Sequence, residues 1–211
     1  MLQLPITVRI PTDAELDHRP DIDEILIRRR KAKIVEGYNL QMNENPRLPY
    51  RFQATINIDN DRLWALFLTL AETLPSKVSC VYGIYEEENM TTPLLQKDFV
   101  LKELEKYEPE LAQDCLLEAG MLFHTKDILI ELGISASKYI RYWGAELERF
   151  RLLMQSFELP FVEGLEFIDE YPRIVTPLRE LDRTAKAPET VLYYLDQAFR
   201  VDRTAPEPFF D

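Results

Sequence analysis

Residues 51–58 constrain this chain more than any other stretch. Phe52, Ala54, Ile56 and Ile58 alternate with Arg51, Gln53, Thr55 and Asn57, and a period of two belongs to a strand with one face in a core and the other in water. Asp59, Asn60 and Asp61 follow, with side chains suited to capping a helix. Leu63, Leu66, Phe67, Leu70 and Leu74 then recur at helical spacing until Pro75, and Trp64 and Leu68 widen the stripe into a largely buried helix. Residues 78–85 place Val78, Cys80, Tyr82 and Ile84 on one side and Val81 and Tyr85 on the other, the pattern of an interior strand. The resulting strand, helix, strand unit over 50–86 sets the expectation for the whole chain. Residues 1–211 read as a single α+β domain in which a mixed, largely antiparallel sheet of five or six strands packs against about three main helices, near 61–74, 97–107 and 145–157.

The remaining elements are placed by the same periodicities. Val100, Leu101, Leu104 and Tyr107 face inward on the second helix, which Pro109 ends. Residues 115–123 and 128–132 read as two strands joined by His124, Thr125, Lys126 and Asp127, a connection of hairpin length, and 139–143 as a further short strand. Leu147, Phe150, Met154 and Phe157 stripe the third helix, and 189–199 supports one more. The first 45 residues fit less well. Residues 2–10 and 25–35 have strand-like composition, but the second is split by Arg28, Arg29, Arg30, Lys31 and Lys33. Charges on both faces predict an edge strand or a projecting basic ribbon.

Composition bounds the function. No apolar run approaches the roughly 18 residues of a membrane span, and the first residues carry neither the basic nor the apolar region of a secretory signal, so a cytoplasmic site is expected. Cys80 and Cys115 are too few for a disulfide scaffold or a thiolate zinc site and read as reduced core thiols. The net charge is −12. Residues 1–60 are balanced, with nine basic and nine acidic side chains, so the whole excess belongs to 61–211. A field of that sign repels nucleic-acid phosphates and anionic lipid, and it favours a basic partner or serves solubility alone.

No catalytic motif stands out. None of the five serines sits in the G-x-S-x-G turn that presents a nucleophile, and no glycine-rich phosphate loop occurs. His18 lies among Asp13, Glu15, Asp17, Asp21 and Asp23 in what reads as a solvated loop, and His124 at a hairpin tip. The basic run, with Tyr38, Tyr50 and Phe52 nearby, is the only stretch resembling a nucleic-acid footprint, and the acidic total argues against that use. One constellation suits hard-cation chemistry. Asp59 and Asp61 follow the first strand and Glu86, Glu87 and Glu88 follow its partner, so parallel strands would bring both groups to one side of the sheet.

Two functions follow. The first is a non-catalytic, protein-binding role without cofactor, in which an acidic protein captures or neutralises a basic one, the mode of action of immunity proteins. Its candidate binding residues are Glu86, Glu87 and Glu88, and Glu103, Glu105, Glu108 and Glu110. The alternative is a metal-assisted hydrolase built on Asp59, Asp61 and the three consecutive glutamates. Residues 204–211, with Phe209 and Phe210, read as a tail that docks on its own body or on another chain. The oligomeric state is left open.

Overall fold

The alternating segment forms β3 of a mixed α and β structure dominated by a large antiparallel sheet. The computed structural model describes residues 2–16 and 20–201. In chain order the elements are β1 (Val8–Arg9), α1 (Asp13–Leu16), α2 (Ile22–Lys31), β2 (Gly37–Met42), β3 (Phe52–Asn57), α3 (Asn60–Ala71), β4 (Lys77–Ile84), β5 (Met90–Thr91) and β6 (Leu95–Gln96). These are followed by α4 (Lys97–Glu105), α5 (Glu108–Gln113), β7 (Leu117–His124), β8 (Leu129–Ile134), β9 (Ile140–Gly144) and α6 (Leu147–Ser156). A 3-10 turn (Ile168–Glu170), β10 (Ile174–Val175), α7 (Leu178–Leu181) and α8 (Pro188–Phe199) complete the described chain. Eight α-helices therefore appear among the described residues, where sequence periodicity emphasised three.

The main sheet has eight strands in the order β2-β3-β9-β8-β7-β4-β5, with β6 also paired to β4. Every pair in it is antiparallel. Counting alternations along the sheet, β3 and β4 run parallel, as the sequence unit requires. They are not neighbours, because β9, β8 and β7 lie between them. At about 4.8 Å per strand the two are roughly 19 Å apart along the sheet.

One sheet face is the core. Phe52, Ile56, Cys80, Tyr82, Leu117, Met121, Leu132 and Ile140 point into it and are fully buried. Against them pack Leu66, Phe67 and Leu70 of α3, Leu104 of α4, Leu147, Phe150 and Met154 of α6, and Leu195 of α8, all in one cluster. Phe150 is central, with ring centroids 5.2 Å from Phe52, 5.4 Å from Tyr38 and 5.4 Å from Tyr142. Both cysteines are free and buried. The other face of the sheet carries half-buried side chains, among them Val81, Leu122, Glu131, Arg141 and Trp143.

Four sequence expectations change. Residues 22–31 are a helix and not a strand or ribbon. No residue of α2 is fully buried, but Ile22, Ile25, Leu26 and Arg29 form a half-buried stripe, and polar contacts add to it: Arg28 lies 3.1 Å from Glu170, and Arg29 lies 2.8 Å from Asp13 and donates to the Pro11 carbonyl at 2.9 Å. Those partners are distant in sequence, which is why local periodicity does not reveal them. Residues 37–42 form an edge strand that the reading of 1–45 did not contain. Pro109 does not end a helix but sits in the first turn of α5, where its missing N–H costs nothing. Asp59 precedes α3 without capping it, since its Oδ1 accepts the Gln3 N–H at 2.6 Å. No helix among the described residues is long and apolar enough to cross a membrane.

Candidate functional site

The solvent-facing side of the sheet has a gap in its middle. In the β7–β8 hairpin Gly120 lies directly opposite Gly133, flanked across the sheet by Val81 on β4 and Arg141 on β9. Two adjacent positions without side chains leave a cleft of about 50 Å³, also lined by Asn89, Glu118 and Glu131. The two glycines are there for different reasons. A Cβ on Gly120 would come within 2.4 Å of the Leu132 carbonyl oxygen, so the close approach of β8 requires glycine. A Cβ on Gly133 would meet nothing nearer than the Ala119 carbonyl oxygen at 4.0 Å.

Charge in the cleft is unbalanced. Glu118 Oε1 accepts the Ala136 N–H at 3.0 Å and an Arg141 N–H at 3.2 Å, and its Oε2 lies 3.5 Å from Asn89 Nδ2. The Glu131 carboxylate accepts no hydrogen bond from the described residues; burial pushes its pKa above the ordinary carboxylate range and Arg141 pulls it partly back. Asn89 Oδ1 is a buried acceptor without a donor among the described residues. One guanidinium thus faces two carboxylates and an orphan oxygen.

Of the residues singled out in the sequence, Glu86, Glu87 and Glu88 reach this region. They are exposed in the turn after β4, where Glu86 adopts a left-handed φ of 68°, and that turn delivers Asn89 to the cleft rim. Glu103, Glu105, Glu108 and Glu110 belong to α4 and α5 in the helical layer, on the opposite side of the sheet. They are not equivalent. Glu105 and Glu108 are exposed, and Glu103 is mostly covered and pairs with Lys106 at 2.6 Å. Glu110 is buried and accepts the Lys186 backbone N–H at 2.9 Å, which makes it part of the folded framework. Beside these glutamates stand the exposed rings of Tyr193 and Tyr194, with Tyr194 stacked 6.5 Å from Tyr107.

Asp59 and Asp61 do not meet the three consecutive glutamates. The strands that carry the two groups are separated by three others, and the sheet spacing of roughly 19 Å far exceeds the 2.3–2.6 Å at which carboxylates share a hard cation. Among the described residues no group of three or more His, Cys, Asp or Glu is placed to hold a metal ion. His18 and the tail at 204–211 lie outside the described residues.

Glu118, Glu131 and Arg141 escaped sequence reading because none belongs to a motif. The signal that does exist is the glycine pair, since a hairpin register that sets His124 against Leu129 necessarily sets Gly120 against Gly133. The fold and cleft define a mixed α and β protein with an open, acid-flanked sheet face. Comparison with protein-family models, with curated proteins and with solved structures finds no match.

Proposed function

We propose that this chain is a non-catalytic binding protein that captures a basic protein partner on the open face of its sheet, in the manner of an immunity protein. The observation that carries the reading is the cleft over Gly120 and Gly133, with the carboxylates of Glu118 and Glu131 outnumbering the single guanidinium of Arg141 and the exposed Glu86, Glu87 and Glu88 in the turn that leads to its lining residue Asn89. Half-buried Val81, Leu122 and Trp143 supply apolar area on the same face, and tryptophan among partly desolvated neighbours is the side chain most often found at an interface hot spot. The reading treats residues 1–211 as one domain, a view supported by the pairing of β1 near the start of the chain with β10 near its end.

The test begins by recovering the tagged protein from its native cells and purifying any stoichiometric basic companion. Association with that companion is then timed at about 0.1 M and 1 M salt, between which the Debye length falls from about 10 Å to about 3 Å. The rate is expected to drop with salt while dissociation changes less. Reversing Glu86, Glu87 and Glu88 to lysine together is expected to slow association at an unchanged melting temperature. Reversing the exposed Glu105 and Glu108 on the helical layer is expected to leave it alone. Salt-independent association, or sensitivity only to the helical set, defeats the proposal.

A further inference from the structure

The cleft limits what part of a basic partner can enter, an inference that rests on the binding role proposed above. Its volume of about 50 Å³ admits a group of a few heavy atoms, at about 10–15 Å³ for each water-sized group, and excludes a metabolite, whose pockets run to about 300 Å³ or more. Its floor is backbone without side chains, where Gly120 and Gly133 of two neighbouring strands face each other. Its acceptors stand on different sides of that floor, since Glu118 is two positions from Gly120 along β7 and Glu131 is two positions from Gly133 in the other direction along the sheet. A compact ammonium satisfies one of these at a time. A planar guanidinium lies flat and directs five N–H donors outward in its plane.

We propose that the cleft receives the guanidinium of one arginine side chain of the partner, laid over Gly120 and Gly133 between Val81 and Arg141, with Glu131 as its main counter-ion and Glu118 alongside. Two guanidiniums then face two carboxylates, and the charge imbalance of the empty cleft disappears. Gly133 is the specificity determinant. Neither a left-handed φ nor a close neighbour calls for glycine there, and a strand interior ordinarily favours a branched side chain. Any such side chain would fill the slot.

The probe is Nα-acetyl-arginine amide, titrated into isotope-labelled protein while the amide resonances of Gly120 and Gly133 are followed. The neutral isostere Nα-acetyl-citrulline amide and the ammonium analogue Nα-acetyl-lysine amide run in parallel. Saturable shifts are expected with the arginine compound, weaker binding with lysine and none with citrulline. Glu131→Gln is expected to weaken arginine binding at least about tenfold, as loss of a hydrogen-bonded charge does. Gly133→Val is expected to abolish it at a preserved melting temperature, and Gly133→Ala serves if the larger variant fails to fold. Equal binding of citrulline and arginine, or full affinity in the Gly133 variants, overturns the assignment. The two proposals fail separately: a basic partner that tolerates Gly133→Val but is lost on reversing Glu86, Glu87 and Glu88 removes the arginine slot and leaves the binding role standing.

Discussion

Lys138 shows how far a single residue can depart from its usual place. It is 4% exposed and adopts a left-handed φ of 59° between β8 and β9. Its Nζ donates to the carbonyl oxygens of Leu111 at 2.9 Å and Leu117 at 2.7 Å, joining the end of α5 to the start of β7. Burial pulls its pKa down to about 8, against partial support from Cys115, Asp114 and Glu118. The sign of the pH effect follows. Between about pH 8 and the ordinary lysine value the unfolded chain binds a proton that the folded chain has released, so this residue makes stability rise with pH across that window. The stability difference between wild type and Lys138→Met, from urea unfolding at pH 7 and pH 10, is expected to show that rise, of order 3 kcal/mol at most; the buried thiols of Cys80 and Cys115, whose pKa values burial raises, act in the opposite sense in both proteins. The variant should also lose about 1–3 kcal/mol at pH 7 for each carbonyl left without a donor. A wild type and variant with identical pH profiles would remove the account. Nothing in the sequence marks Lys138 as buried, because its partners are backbone atoms more than 20 residues away.

Among the elements, α6 and α2 are opposites. The stripe of Leu147, Phe150 and Met154 is buried as its spacing predicts, and the three rings around Phe150 make it the most heavily packed aromatic of the core. Phe150→Ala is expected to cost about 3–5 kcal/mol in chemical denaturation; a loss below 1 kcal/mol would mean that the ring cluster can collapse into the space. In α2 the inward stripe is only half-buried and is supplemented by ion pairs, which are individually weak and screened by salt. Its amides are expected to exchange with deuterium well before those of β7, and sooner still in 1 M salt. Elements of the first kind are legible in sequence, because burial writes a period into the chain. For α2, the consecutive Ile25, Leu26 and Ile27 imitate a strand, and the acids that hold the helix lie at 13 and 170. The hairpin is an intermediate case. Placing its loop at 124–127 instead of 125–128 keeps every side chain on its correct face but moves the register by two, which sets Gly120 against Glu131 and hides the cleft.

For the molecule as a whole, the local unit over 50–86 is a true guide to direction and a poor one to adjacency. The parallel sense of β3 and β4 follows from the helix between them, whereas the three strands that part them come from residues 117–144. The metal constellation of Asp59, Asp61, Glu86, Glu87 and Glu88 depended on adjacency, and so its members stand apart. Charge is likewise a whole-molecule quantity that composition reports without a location: the two glutamate sets lie on opposite layers, and only one adjoins the cleft.

That sheet order also has a consequence for how the protein comes into being. A ribosome delivers β3 and β4 early, each with a partner on only one side, β2 for the former and β5 and β6 for the latter. The inner edge of β4 stays bare until β7 is complete at residue 124, and that of β3 until β9 is complete at residue 144 and the meander of β7, β8 and β9 spans the space between them. A nascent chain stopped at residue 116 is therefore expected to show no cooperative unfolding transition, and the complete chain to refold in milliseconds to seconds, as topologies rich in distant strand pairs do. Throughout that interval the unfinished edges are open to any other strand that passes, so translation speed and chaperone access are expected, alongside final stability, to bear on this protein's yield.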